Sequence, residues 1–134
     1  MTRLSHFVER HGQLWFVESL GPDRSHHHLV SRVVCSCASR FQQIDIIDTP
    51  AFGRMLILDS DPQSAQSDEF IYHEALVHPA LIGLSPRPDL SVLVAGAGEC
   101  ASIREIMRHP NLKKVVGVEI DEVLFRKVEE HLTA

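Results

Sequence analysis

The alternation of apolar and polar positions divides the chain into two regimes. Up to residue 66 the apolar residues come in short runs punctuated by turn formers, which predicts strands. Leu14-Trp15-Phe16-Val17-Glu18 is the first run, and Gly21-Pro22-Asp23 reads as a turn. Leu29 to Cys37 is a second, mostly β-branched or small. In Phe41 to Asp48 the period of two puts Ile44 and Ile46 on one face and Asp45 and Ile47 on the other. Thr49-Pro50-Ala51-Phe52-Gly53 then predicts a hairpin turn, and Arg54 to Asp59 the returning strand, which Ser60-Asp61-Pro62 should break. Closely spaced strands joined by short turns predict antiparallel meanders.

From Asp68 to about Ile82 the spacing becomes helical, with Phe70, Ile71, Ala75, Leu76 and Leu81 as its apolar positions. Ser67 or Asp68 is suited to the N-cap, and Pro79 is expected to bend or interrupt the helix. Ser85-Pro86-Arg87-Pro88 reads as a short stiff linker. Val92-Leu93-Val94-Ala95 follows as an unbroken apolar run, the pattern of a strand covered on both faces. Gly96 and Gly98 then allow a sharp turn and close approach to a ligand. A helix from about Glu99 should put Ile103, Ile106 and Met107 on one face. A second apolar run, Val115 to Val118, ends in Glu119, and an amphipathic helix from about Asp121 to Leu132 closes the chain.

Strand, glycine turn, helix and a second strand ending in a carboxylate form the layout of a nucleotide-binding βαβ unit. The glycines admit the ligand, and Glu119 would accept hydrogen bonds from ribose hydroxyls. The bare pattern Gly96-x-Gly98-x-x-Ala101 fits a dinucleotide or an adenosyl-sulfonium compound equally well, or a plain glycine turn in an α/β domain. The expected boundaries are a β-rich amino-terminal domain over residues 1–66 and a partial nucleotide-binding domain over 67–134. A two-stranded parallel sheet cannot cover its own faces or edges, so the pattern also predicts a truncated domain.

Composition changes this picture little. The 134 residues are 44% hydrophobic, enough for a core, and the formal charge of -5 argues against nucleic acid as a partner. No apolar run is long enough to span a membrane, no signal-peptide core precedes the first strand, and three cysteines fit reduced cytoplasmic thiols. Cys35-x-Cys37 near His26-His27-His28 raises the question of zinc, but a second cysteine pair and the usual spacings are missing. No metal is expected, and the histidines read as a solvated loop.

With these residues in view, the sequence resembles the spermidine synthase family, the polyamine aminopropyltransferases. The match runs from about Leu14 to the end through blocks in the family's order. They are Phe41-Gln42-Gln43-Ile44, Phe52-Gly53-Arg54-Met55-Leu56, Leu58-Asp59, Gln63, Asp68-Glu69-Phe70-Ile71-Tyr72-His73-Glu74 and His78-Pro79, then the loop Gly96 to Glu105 and Val118-Glu119-Ile120-Asp121. The resemblance implies an α/β protein, with a small antiparallel β amino-terminal domain followed by the first βαβ part of a truncated Rossmann-like domain of the methyltransferase type. It implies a homo-oligomer that transfers an aminopropyl group from decarboxylated S-adenosylmethionine, a co-substrate rather than a resident cofactor, to putrescine or a related amine. By resemblance, Gln42 and Glu119 contact the adenosyl part, together with Gly96 and Gly98. His73 and Glu99 lie at the aminopropyl arm or product amine, and Tyr72 lines the amine channel.

The chemistry accounts for these residue types: two cationic ligands must be held close together and the attacking amine presented unprotonated, both tasks for carboxylates. Two departures stand out. The family's loop reads Gly-Gly-Gly-Asp-Gly, whereas here it is Gly96-Ala97-Gly98-Glu99-Cys100; Ala97 and Cys100 add bulk, and Glu99 reaches one methylene further than aspartate. The family's catalytic aspartate would lie beyond Ala134, so little transferase activity is expected of these 134 residues. The alternative is a non-catalytic nucleoside-binding or assembly relic; a nicotinamide-dependent dehydrogenase would rest on the glycine pattern alone. Each residue also has a structural reading: Tyr72 and His73 at a core edge, Gln42 facing solvent from a strand, Glu119 at the dipole of the last helix.

Overall fold

The computed structural model describes residues 6–132. The chain forms two compact units, Met1–Asp68 and Glu69–Ala134.

The first unit is antiparallel throughout. Strands β1 (Phe7–Arg10), β2 (Gln13–Gly21) and β3 (Arg24–Val30) make one sheet in that order. Strands β4 (Arg32–Ala38), β5 (Gln43–Thr49), β6 (Gly53–Leu58) and β7 (Asp61–Ala65) make a second. The run expected as a single strand from Leu29 to Cys37 is divided at Ser31, where the chain passes from one sheet to the other. Ser31 N–H donates to Asp48 O at 2.8 Å, so the backbone stays paired across the change and the sequence shows no breaker. The histidines expected in a loop lie on β3, where Glu18 faces His26 and Phe16 faces His28 across the ladder.

A further strand follows where Ser60-Asp61-Pro62 should have stopped the chain. Asp59 and Ser60 both take positive φ, 48° and 76°, the conformation of a tight hairpin turn. Asp59 Oδ1 accepts from Gln43 N–H at 2.8 Å and steadies the turn. Pro62 is tolerated because β7 lies at the edge of its sheet, where a missing N–H breaks no central ladder. Side chains of both sheets meet in one core of Phe16, Val30, Ile47, Met55, Ile57 and Ala65, closed by Phe7, Leu14, Val33 and Phe52. Fully burying a residue the size of Phe16 or Ile57 contributes about 1.5–3 kcal/mol.

The second unit holds α1 (Glu69–Gly83), β8 (Leu90–Ala95), α2 (Ala101–Ile106), β9 (Leu112–Val118) and α3 (Glu122–His131). Strands β8 and β9 pair in parallel, Val92 beside Val115 and Val94 beside Gly117, with α2 in the crossover. Pro79 does not interrupt α1; the turn beyond it still closes, with Leu84 N–H donating to Ala80 O at 3.2 Å. Val77 and Leu81 of α1 and Ile106 of α2 pack against Leu90, Val92, Val94, Leu112 and Val115. That covers one face of β8. Leu93, on the other face, is 68% exposed, which corrects the reading of a strand buried on both sides.

The buried stripes of the helices also differ from expectation. On α1 the buried residues are His73, Val77 and Leu81, while Phe70, Ile71 and Leu76 stay exposed. An apolar residue at nearly every turn position gave the helical period without fixing the face. Met107 is 70% exposed beside a buried Ile106, because α2 ends between them.

Candidate functional site

The site is assembled at the carboxyl end of the parallel pair, where open α/β sheets bind ligands. Gly96 leaves β8 with φ at 76°, a conformation that favours glycine. Its N–H and that of Ala97 both donate to Val118 O, at 2.9 and 3.1 Å, which ties the turn to the tip of β9. Gly98 N–H then donates to Glu119 Oε2 at 2.8 Å, and Asp121 N–H to Glu119 Oε1 at 2.9 Å. Glu119 is therefore the clasp between the glycine turn and the start of α3. Asp121 caps that helix by accepting from Val123 and Leu124 N–H at 3.1 and 3.2 Å.

Two of the glycines are dictated by space. A Cβ on Gly98 would sit 3.1 Å from Leu124 Cδ2 and 3.4 Å from Glu119 Oε2. One on Gly117 would meet Ile103 Cδ1 at 2.7 Å and Ala97 Cβ at 2.9 Å. Gly117 thus makes room for Ala97, so the alanine fits without positive φ. Cys100 is strained instead: φ is 59° at the residue before α2. Burial, then the charges of Glu119, Glu129 and Glu99, push its thiol pKa above the ordinary cysteine value, leaving it protonated and a poor nucleophile.

His73 is the second centre. Only 5% exposed, it places Nε2 at 2.9 Å from Glu99 Oε1. Its Nδ1 lies 2.8 Å from both Glu69 O and Glu69 Oε2, one helical turn back. Arg104 Nη2 donates to both oxygens of Glu69, at 2.8 and 2.9 Å, and Arg104 Nε to Glu105 Oε1 at 2.9 Å. The result is a continuous chain from Arg104 through Glu69 and His73 to Glu99, which aims the Glu99 carboxylate. Tyr72 stands exposed beside it, its ring edge-on to His73 at 5.2 Å.

Beneath this chain the buried Glu105 carboxylate accepts from Arg108 Nη1 at 2.7 Å as well as from Arg104. The hydrogen bond from Arg108, then that from Arg104, holds its pKa below the usual carboxylate value against the opposing effect of burial. His78 Nε2 is 3.4 Å from the same carboxylate, and its Nδ1 is 3.0 Å from His109 Nε2.

Of the residues expected at the site, the structure brings Gly98 to Glu119 and His73 to Glu99, with Gly96 at the head of the turn. Gln42 lies in the first unit, one residue before β5, where its N–H and O bond Ser39. Sequence reasoning gave no role to Glu69, Arg104 or Gly117. Glu69 was within reach, as a carboxylate four residues before a histidine on a helix; so was Gly117, a glycine inside a strand. Arg104 joins a different helix and had no local signal.

A parallel βαβ unit whose glycine turn is clasped by a carboxylate just past the neighbouring strand is the opening of a Rossmann-like fold. Comparison with known proteins makes the class specific. The family model described as the spermidine synthase tetramerisation domain matches residues 14–65, and that of the spermine/spermidine synthase domain matches residues 69–132. The chain belongs to the spermidine synthase family, whose amino-terminal part it matches.

Among curated relatives, the polyamine aminopropyltransferase of Aeropyrum pernix is 45% identical over 119 residues, 88% of this chain and 37% of that protein. Polyamine aminopropyltransferase 2 of Caldanaerobacter subterraneus is 44% identical over 103 residues, 77% of this chain and 34% of that protein. The crystal structure of spermidine synthase from Thermotoga maritima superposes with a TM-score of 0.83 at 31% identity, over 88% of this chain and 42% of that one. A spermidine synthase in complex with the transition state analogue AdoDATO gives 0.84, also at 31% identity, over 92% of this chain and 42% of that one. The chain thus spans well under half the length of the relatives it matches.

Proposed function

We propose that this chain supplies the donor-binding half of an aminopropyltransferase site, working on decarboxylated S-adenosylmethionine and putrescine or a related amine. The observation that carries the reading is the clasp of Glu119 on Gly98 and Asp121. An ionised carboxylate has about four acceptor sites, so Glu119 can keep both backbone bonds and still receive ribose hydroxyls. Gly96 and Gly98 let the adenosyl part approach the backbone. Glu99, aimed by His73, offers negative charge to the cationic aminopropyl arm, and Tyr72 flanks the path of the amine. The role of Gln42 at the adenosyl part rests on the family resemblance.

In the reaction the amine lone pair attacks the aminopropyl carbon bonded to the sulfonium. A carbon–nitrogen bond forms, the carbon–sulfur bond breaks, and its electron pair neutralises sulfur to give methylthioadenosine. The amine proton leaves to a general base. By the family resemblance we assign that base to an aspartate beyond Ala134. The match of residues 14–65 to a tetramerisation domain supports assembly into a homo-oligomer through the first unit. Among the described residues no helix is long and apolar enough to cross a membrane. From the cysteine usage we place the protein in the cytoplasm, where Cys35, Cys37 and Cys100 stay reduced.

Calorimetric titration of the chain with methylthioadenosine and with decarboxylated S-adenosylmethionine tests this reading. Both should bind, and Glu119→Ala should weaken them at least tenfold, since one hydrogen bond to a charged group contributes about 1.5–3 kcal/mol. Undiminished affinity in a folded Glu119→Ala chain, or no affinity in the unaltered one, would overturn it.

A further inference from the structure

We propose that Glu18, His26 and His28 form a binding site for one divalent transition-metal ion, clipping β2 to β3. Alternation along β3 puts His26 and His28 on one face, and the register sets Glu18 directly across from His26. Glu18 Oε2 lies 3.4 Å from His26 Nδ1 and 3.3 Å from His28 Nε2. All three ligand atoms lie within 4.8 Å of one another. Ligands about 2.0–2.1 Å from a tetrahedral ion stand roughly 3.3 Å apart, so the strands already hold the carboxylate at metal-binding distance from both rings.

The surroundings fit an ion that approaches from water onto a fixed base. The His28 side chain is 12% exposed, stacked on Phe16 at 5.9 Å and edge-on to Phe52 at 5.6 Å, so its ring is held by the core. His26 is largely exposed and leaves the approach open. Two imidazoles and one carboxylate suit zinc, cobalt, nickel or copper, with water completing the coordination. Other groups among the described residues are poorer sites. His27 points to the opposite face, where it bonds Arg10 and Ser25. Glu74, His78 and Glu105 also converge, but Arg104 and Arg108 occupy both oxygens of Glu105, and Arg108 reaches Glu74 as well. Cys35 and Cys37, with sulfurs 3.8 Å apart, offer two donors only.

The test uses the full 134-residue chain, stripped with chelator and titrated with Zn2+ alone by calorimetry and with Co2+ alone by visible absorption. One equivalent should bind, Co2+ should develop d–d bands, and the midpoint of unfolding followed at Trp15, on β2, should rise with Zn2+. Glu18→Gln and His26→Ala, both away from the apolar core, should each weaken binding at least tenfold and abolish the rise in midpoint. His27→Ala should change neither. Absence of stoichiometric binding would overturn the assignment. So would an equal loss in His27→Ala, which marks loose surface imidazole, or a loss confined to His78→Asn, which places the ion in the second unit.

Discussion

The two units of this chain are nearly equal in length and are held together in different ways. In the first, two antiparallel sheets close over a shared apolar core, and its main ion pairs, Arg32 and Arg54 on Asp48, lie outside that core. In the second, one face of a two-stranded sheet is covered while Leu93, Val118 and Ile120 remain exposed. Besides the small apolar cluster of Val77, Leu81 and Ile106, α1 is joined to α2 and the turn after it by charge, through Arg104 on Glu69 and Glu105 and Arg108 on Glu74 and Glu105. The first unit has the larger apolar core, and the second, with the charged network, holds the candidate site. A carboxylate such as Glu99 has to be aimed by other polar groups, and those groups displace apolar packing that would have stabilised the unit more.

The chain contains one tryptophan and one tyrosine, Trp15 in the first unit and Tyr72 in the second, so their fluorescence separates the two. Phe16→Ala should have the largest effect: about 3–5 kcal/mol lost from the Trp15 transition in guanidinium, for a fully buried aromatic. A loss below about 1 kcal/mol would mean that the first unit is not held by its core. Glu105→Gln should lower the Tyr72 transition by about 1.5–3 kcal/mol, the scale of hydrogen bonds to a charged group, with the Trp15 transition unmoved. The arginines it leaves behind are half exposed or more and can return to water, which keeps the loss below that of a fully buried pair.

Acid should sharpen the same contrast. The folded-state pKa of Glu105 is depressed by Arg108 and Arg104, so its contribution is complete above the usual carboxylate range, near pH 4.5, and is lost as pH falls through the lower folded value. Asp48 behaves alike, depressed by Arg54 and Arg32, from a usual value near 3.8. The second unit should therefore weaken as pH falls below about 4.5 and the first below about 3.8, so the Tyr72 signal should be lost first, the second unit also having less apolar burial to fall back on. Simultaneous loss of both signals would break the comparison.

Smaller effects run the other way. Cys100→Gly relieves about 1–2 kcal/mol of left-handed strain and adds about 0.5–1 kcal/mol of chain entropy, so a net gain of about 0.5–1 kcal/mol is expected in the Tyr72 transition. Leu93→Lys should change stability by less than about 0.5 kcal/mol and reduce concentration-dependent association in sedimentation velocity, because that side chain faces solvent.

Much of this architecture was readable from spacing. The alternation around Ile44 to Ile47, the Thr49–Gly53 turn and the strand–glycine–helix–strand order all reflect local rules that the fold keeps. The misreadings occur where tertiary context decides. Asp59 and Ser60 adopt positive φ without a glycine to announce it, so β7 went unseen. The chain changes sheets at Ser31 without a breaker. Apolar residues surround α1, so its period could not say which side was buried. At the site, glycines and terminal carboxylates are sequence signals, but the link from Arg104 to Glu69 to His73 joins residues 35 and 4 positions apart and exists only after α2 packs on α1.

The central claim is that Glu119 clasps the glycine turn into a nucleoside-binding surface, and amide chemical shifts in a 15N-labelled chain test it most directly. On addition of methylthioadenosine the Gly98 and Asp121 amides, both donors to Glu119, should move together and saturate with one affinity. Glu119→Ala should shift both in the free protein and abolish the ligand response. If the folded chain binds methylthioadenosine while these two amides stay fixed, or if neither they nor Gly96 respond at saturating ligand, the clasp is not the binding surface and the account fails.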